Sequence, residues 1–260
     1  MDLLLPCGVA FLASALTLFT GFGLGTLLLP ALALSLNTVE AVATTALVHL
    51  LNNLFKTALV GRHAQAGVVA RFGLPAMAAA FVGALLLARL GEGTPIAGPE
   101  VLGLAVDPRP SDLVVGVVIV CLAIRELAAG REGVSRRPPP TTGETLRAGL
   151  TSGFVGGLTG HQGAVRSAYL IRLGLSRDAF VGTNVAIACL VDLTRLAVYG
   201  AAAGALAPGG IATWGPPSLC AFAGAFLGAR LVKKTTLGAI RRLVGVTLAA
   251  LGLAIAAGWL

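Results

Sequence analysis

Thr159-Gly160-His161-Gln162-Gly163-Ala164-Val165-Arg166 separates two apolar runs, 146–158 and 164–175. Each run is shorter than the roughly 20 residues a helix needs to cross a bilayer. A weaker counterpart, Thr20-Gly21-Phe22-Gly23-Leu24-Gly25-Thr26, separates runs 3–19 and 27–36 near the N-terminus. Both stretches read as a Gly-rich turn that opens a short apolar helix. A helix that begins inside a membrane leaves its first N–H groups without partners, and lipid supplies none. Those groups carry partial positive charge, and glycine lets a ligand approach the backbone closely. Two such breaks turned toward one another would make an anion site. The plainer reading of the same glycines is close packing between helices.

The rest of the chain fits a membrane setting. Of its 260 residues, 56% are hydrophobic and 12% charged, where a soluble domain carries about 25% charged residues. The mean hydropathy is +0.89. The net charge of +8 is spread over loops between apolar runs, as the positive-inside rule requires, so no nucleic-acid partner is inferred. Cys7, Cys121, Cys189 and Cys220 show no metal-ligand spacing. His49, His63 and His161 lack the spacing and the further ligand a zinc site needs. No Walker A sequence and no Ser–His–acid set is present. The reading is therefore of a non-enzyme with no cofactor and no metal. Met1-Asp2 and the following leucines carry no basic n-region, so the first run is expected to stay in the membrane.

Long apolar runs at 39–60, 72–90, 113–129, 179–199, 212–232 and 243–260 are expected to span. The basic loops 61–71, 131–147 and 230–242 then face the cytoplasm, and loops 91–112 and 201–210 face outward. Each half holds five segments, an odd number, so the second half enters the membrane from the opposite side. The expected fold is an all-α integral membrane protein of two inverted repeats, each with a broken or re-entrant pair of short helices. Residues 1–130 form the first repeat, 131–145 a basic Pro-rich cytoplasmic linker, and 146–260 the second repeat, together one membrane domain. Whether segments 3–36 and 146–175 cross fully or re-enter stays open.

A shift of 139 positions tests the repeat without gaps from Thr20 to Gly61. Thr20 meets Thr159, Gly21 meets Gly160, Leu36 meets Leu175, Thr44 meets Thr183 and Gly61 meets Gly200. Lys56 meets Arg195, a cation on a cation inside an apolar helix.

Polar side chains are expensive in lipid, so those inside the long runs are expected to face the protein interior. Thr45, His49, Asn52 or Asn53, and Lys56 share one helix face, and Asn184, Asp192, Arg195 and Tyr199 share its counterpart. Lys56 could equally snorkel to the surface, and Arg195 could pair with Asp192 one turn back. Arg166, early in its short helix, could offer a forked donor to an oxyanion. The candidate substrate-binding set is Gly21, Phe22, Gly23, Thr44, Thr45, His49, Asn53, Lys56, Gly160, His161, Gln162, Gly163, Arg166, Thr183, Asn184, Asp192 and Arg195. Gly83 and Gly116 lie inside ordinary spans, where a side chain should be tolerated better than at Gly21 or Gly160.

Gly21-Phe22-Gly23-Leu24-Gly25-Thr26-Leu27-Leu28-Leu29-Pro30, followed by Ala43-Thr44-Thr45, resembles the first-half signature of the sulfite exporter TauE/SafE family. The second break, with Gly182-Thr183-Asn184, resembles its repeat. The resemblance runs over essentially the whole chain. It implies a multi-pass permease of the cell membrane, the inner membrane in a bacterium, that moves sulfur-containing anions such as sulfite or organosulfonates. The implied partners are a small anionic substrate, the lipid bilayer, and a coupling ion that is either a proton or sodium; a homo-oligomer is compatible with it. In the second half His161-Gln162 interrupt the glycines and Tyr169 stands where the family has proline, which bears on the substrate more than the fold. The alternative is an anion channel, or a permease for another small anion such as a carboxylate.

Overall fold

Two helices begin with the same device. Asn37 Oδ1 accepts from Glu40 N at 3.0 Å while Asn37 N donates to Glu40 Oε2 at 3.3 Å. Thr141 Oγ1 accepts from Glu144 N at 3.3 Å while Thr141 N donates to Glu144 Oε2 at 2.8 Å. Each reciprocal pair satisfies two N–H groups that the first helical turn would otherwise leave open. The second box starts its helix at Thr142, four residues before the apolar run that the sequence pattern marks.

In the computed structural model, residues 3–17, 24–98, 100–101, 104–129, 138–203, 209–231 and 237–259 are described. The elements run α1 Leu4–Thr17, α2 Leu24–Ala33, α3 Thr38–Val60, a single 3-10 turn Gly61–His63, and α4 Ala66–Gly91. An antiparallel hairpin follows, β1 Glu100–Val101 with β2 Leu104–Ala105. Then come α5 Pro110–Ala129, α6 Thr142–Thr159, α7 Gly163–Ile171, α8 Arg177–Ala203, α9 Ile211–Leu231 and α10 Leu237–Ala256. Apart from the hairpin the described chain is helical. Of these helices, Ala66–Gly91 and the Arg177–Gly200 part of α8 are long and apolar enough, by length and composition, to cross a membrane. At 9 residues, α7 reaches only about 14 Å along its axis, less than half of a hydrocarbon core of about 30 Å.

The exterior is apolar and the interior holds charge. Leu74, Phe81, Val117, Ile124, Leu193, Leu219, Val246 and Leu253 are exposed on α4, α5, α8, α9 and α10, whereas Asn53, Lys56, Arg166, Asp192 and Arg195 are buried. Water would drive this distribution the other way; a lipid exterior produces it, because each polar side chain must then find its partner inside the protein.

Helix pairs approach through small residues. A Cβ on Gly153 or Gly157 of α6 would collide with the carbonyl oxygen of Ala76 or Ala80 on α4. On α9, Gly224 and Gly228 stand in the same relation to the carbonyls of Phe11 and Ala15 on α1. Helix α5 packs on α10, and α3 on α8. Gly83 and Gly116 belong to this set, against expectation: a Cβ at Gly83 would collide with the Phe154 carbonyl oxygen, and one at Gly116 would sit 2.5 Å from that of Gly252. Their tolerance of a side chain depends on how near the neighbouring backbone runs, not on their position within a span. The larger apolar core gathers residues of α1, α2, α3, α5 and α10, with Leu158, Leu196 and Tyr199. A smaller one joins Phe72, Ala76 and Ala80 to Tyr169, Leu170, Ile187 and Val191.

Candidate anion site

Helix α6 ends at Gly160, whose φ of +81° is left-handed, a conformation that glycine adopts without the Cβ penalty other residues meet. The chain turns there, and α7 begins three residues later with no side-chain cap. All residues from Gly156 to Gly163 are buried, so the break lies inside the protein. Arg172, at the far end of α7, returns to the start of α6: its Nη2 donates to the Pro138 carbonyl and to Glu144 Oε1, both at 3.1 Å.

The described start of α2 meets the α6–α7 break. A Cβ on Gly25, at the start of α2, would lie 3.6 Å from the Gly160 carbonyl oxygen and 3.6 Å from Thr45 Cγ2 on α3. A Cβ on Gly160 would lie 2.9 Å from Arg195 Nη1 on α8. Backbone from α2 and from the α6–α7 break thus converges with side chains from α3 and α8. The positions Gly21, Phe22 and Gly23 of the candidate set lie outside the described residues.

Asp192 on α8 organises the polar side chains. Its Oδ1 accepts from Arg195 Nε at 3.0 Å, Arg195 Nη2 at 2.8 Å and Gln162 Nε2 at 2.9 Å. Its Oδ2 accepts from His49 Nδ1 at 2.6 Å and Asn53 Nδ2 at 3.3 Å. The network continues outward: Arg166 Nη1 donates to Gln162 Oε1 at 2.6 Å, and Arg166 Nε donates to Asn184 Oδ1 at 2.7 Å. With five donors on it, Asp192 can only hold the others in place. Gln162 has both ends of its amide engaged. The ion pair between Asp192 and Arg195 therefore exists, but it uses only part of the guanidinium.

What remains open is a set of donors and one ring nitrogen. Arg195 Nη1, Thr44 Oγ1, Thr45 Oγ1, Ser167 Oγ and His161 Nε2 are buried and have no hydrogen-bond partner among the described residues. Each such group carries a desolvation penalty that a ligand would relieve. His161 Nδ1 is engaged with the Thr159 carbonyl oxygen at 2.8 Å. Ser167 was not among the candidate substrate-binding residues; its place next to Arg166 on the buried side of α7 was the available signal.

Three residues of the candidate set stand apart from this network. Thr183 Oγ1 accepts from Gln65 N at 2.9 Å, so its hydroxyl serves the turn before α4. Gly163 supplies the first residue of α7. Lys56 is only 5% exposed, so it does not snorkel to the surface, and none of the hydrogen bonds above involves it.

The charges in the network do not cancel. Asp192 contributes −1 and Arg166 and Arg195 +1 each, all three at most 1% exposed. An excess of one positive charge in a buried site calls for a counter-anion. Against this geometry, the family model described as Sulfite exporter TauE/SafE matches residues 7–255. No curated protein and no solved structure matches the chain.

Proposed function

The chain belongs to the sulfite exporter TauE/SafE family, membrane transporters of sulfur-containing anions, and on that premise we propose that it is a secondary transporter exporting sulfite or an organosulfonate. The substrate binds near the membrane midplane between the two breaks. Arg195 Nη1 provides the charged donor, and the unpartnered hydroxyls of Thr45 and Ser167 add neutral ones. The single observation that carries this reading is the buried excess positive charge beside an unpartnered guanidinium nitrogen.

The transport path rests on an inverted repeat of 1–130 and 146–260 about the linker 131–145. Several features support it. Helices α3 and α8 begin at Thr38 and Arg177, 139 residues apart, the shift that aligns the sequence. Exchanging the halves turns the α1–α9 contact into the α6–α4 contact and the α3–α9 contact into α8–α4, and all four are present. The return of Arg172 to Pro138 and Glu144 favours a re-entrant α6–α7 pair, both ends on one surface. The protein then crosses the cell membrane several times, the inner membrane in a bacterium.

Proteoliposomes loaded with sulfite test the proposal. Saturable efflux that unlabelled sulfite or methanesulfonate inhibits is the expected result. Single-channel currents with unsaturable flux would replace the carrier by a channel, and carriage of acetate in preference to sulfite would change the substrate class.

A further inference from the structure

We propose that the site takes its anion together with one proton, held between His161 Nε2 and a ligand oxygen, so that the bound species is a protonated monoanion such as bisulfite. The inference rests on the anion site proposed above and goes beyond it by fixing the charge and protonation of what is bound.

The geometry begins at Thr159. Its carbonyl oxygen can only accept, so the 2.8 Å contact with His161 Nδ1 requires the proton on Nδ1. In a neutral imidazole Nε2 then carries a lone pair. That nitrogen is buried and has no partner among the described residues. Arg195 Nη1 lies beside Gly160, the residue before His161, 2.9 Å from where a Cβ there would stand. A cationic donor and a bare acceptor thus flank one glycine. A sulfonate offers acceptors only and leaves Nε2 unsatisfied; bisulfite offers oxygens to Nη1 and one hydrogen to Nε2.

Charge balance gives the same stoichiometry independently. The network around Asp192 carries one net positive charge, so a monoanion neutralises it and sulfite dianion leaves a buried negative charge unless one proton comes too. The groups facing His161 are Arg195 from α8 and His49 from α3; α6 contributes the Thr159 carbonyl and hydroxyl, and α2 contains no titratable residue. His49 is already committed to Asp192, which leaves His161 as the base. Both oxygens of Asp192 are occupied by donors, so that carboxylate is not open to sodium.

Calorimetric titration of the full-length protein in detergent, at mildly alkaline pH and in two buffers of different ionisation heat, counts the protons. Sodium sulfite should bind with uptake of about one proton, its affinity falling about tenfold per pH unit once bisulfite ionises. Methanesulfonate, a monoanion throughout, should bind without uptake and without that slope. In H161F no acceptor meets the ligand hydrogen, so sulfite should bind about tenfold more weakly, and methanesulfonate, which offers no hydrogen, should lose less. If both anions bind and sulfite takes up no proton, the inference is overturned while the anion site stands. If neither binds, the site itself is wrong. Sulfite affinity that is unchanged in folded H161F removes the role given to His161, and should that variant not fold, the wild-type proton count still decides.

Discussion

Asn53 Nδ2 donates to Asp192 Oδ2 at 3.3 Å, and these residues are counterparts under the 139-residue shift. Equivalent residues of two repeats touch only where the axis relating the repeats passes between them. The polar network is therefore centred on the proposed axis, but it is not symmetric. The first half presents a neutral amide where the second presents a carboxylate, and the second half supplies both guanidinium groups of the network.

That asymmetry separates two roles for Arg195. Replacing Arg195 with Gln should lower anion affinity by about 1.5–3 kcal/mol, the worth of a hydrogen bond to a charged group, and should destabilise the fold by leaving Asp192 buried and underpaired. Asp192→Asn/Arg195→Gln should regain melting temperature without regaining affinity. Recovery of binding in the double variant, measured beside its thermal stability, would return Arg195 to a purely structural role.

Gly160 should accept no side chain. Gly160→Ala forces a left-handed conformation that costs an L-residue about 1–2 kcal/mol, and sets its Cβ 2.9 Å from Arg195 Nη1. Gly143→Ala meets nothing within 4 Å and should be neutral, or stabilising by up to about 1 kcal/mol. Sulfite affinity and melting temperature should both fall in the first variant alone; equal behaviour of the two would contradict the account of the break.

The α4–α6 contact makes a sharper test. Gly153→Ala should destabilise by about 1–3 kcal/mol through overpacking. Ala76→Gly should fail to rescue it, because the colliding atoms of Ala76 are its backbone Cα, C and O. Thermal unfolding of the single and double variants reads this directly, and a rescue would mean that the helices part easily.

Topology can be read by labelling single cysteines introduced after replacing Cys7, Cys121, Cys189 and Cys220. Arg62→Cys and Asp178→Cys should react from one side, Ser35→Cys and Asp107→Cys from the other. Helices α6 and α7 crossing the bilayer together would move Asp178 to the side of Asp107 and end the re-entrant reading.

The α6–α7 break and the buried polar stripes on α3 and α8 were legible in sequence, because polar residues at helical spacing inside apolar runs must face inward. Their partners were not. Periodicity names the face on which His49 lies but not that Asp192, 143 positions away, meets it. Gln162 read as an interruption of glycines, whereas it bridges Asp192 and Arg166. Gly83 and Gly116 read as ordinary for the same reason: a glycine's purpose depends on a neighbouring backbone that the local sequence does not contain.

The glycine contacts also decide what can move. They fasten α4 of the first half to α6 of the second, and α9 of the second to α1 of the first. Backbone held against backbone leaves no flexible side chains to absorb sliding, so each fastened pair travels as one piece. The halves of the gene product are thus interlocked rather than hinged. A rocking motion that opened the site to alternate sides would have to shift mixed bodies, each built from helices of both halves, past the pair α3–α8 that carries the charges.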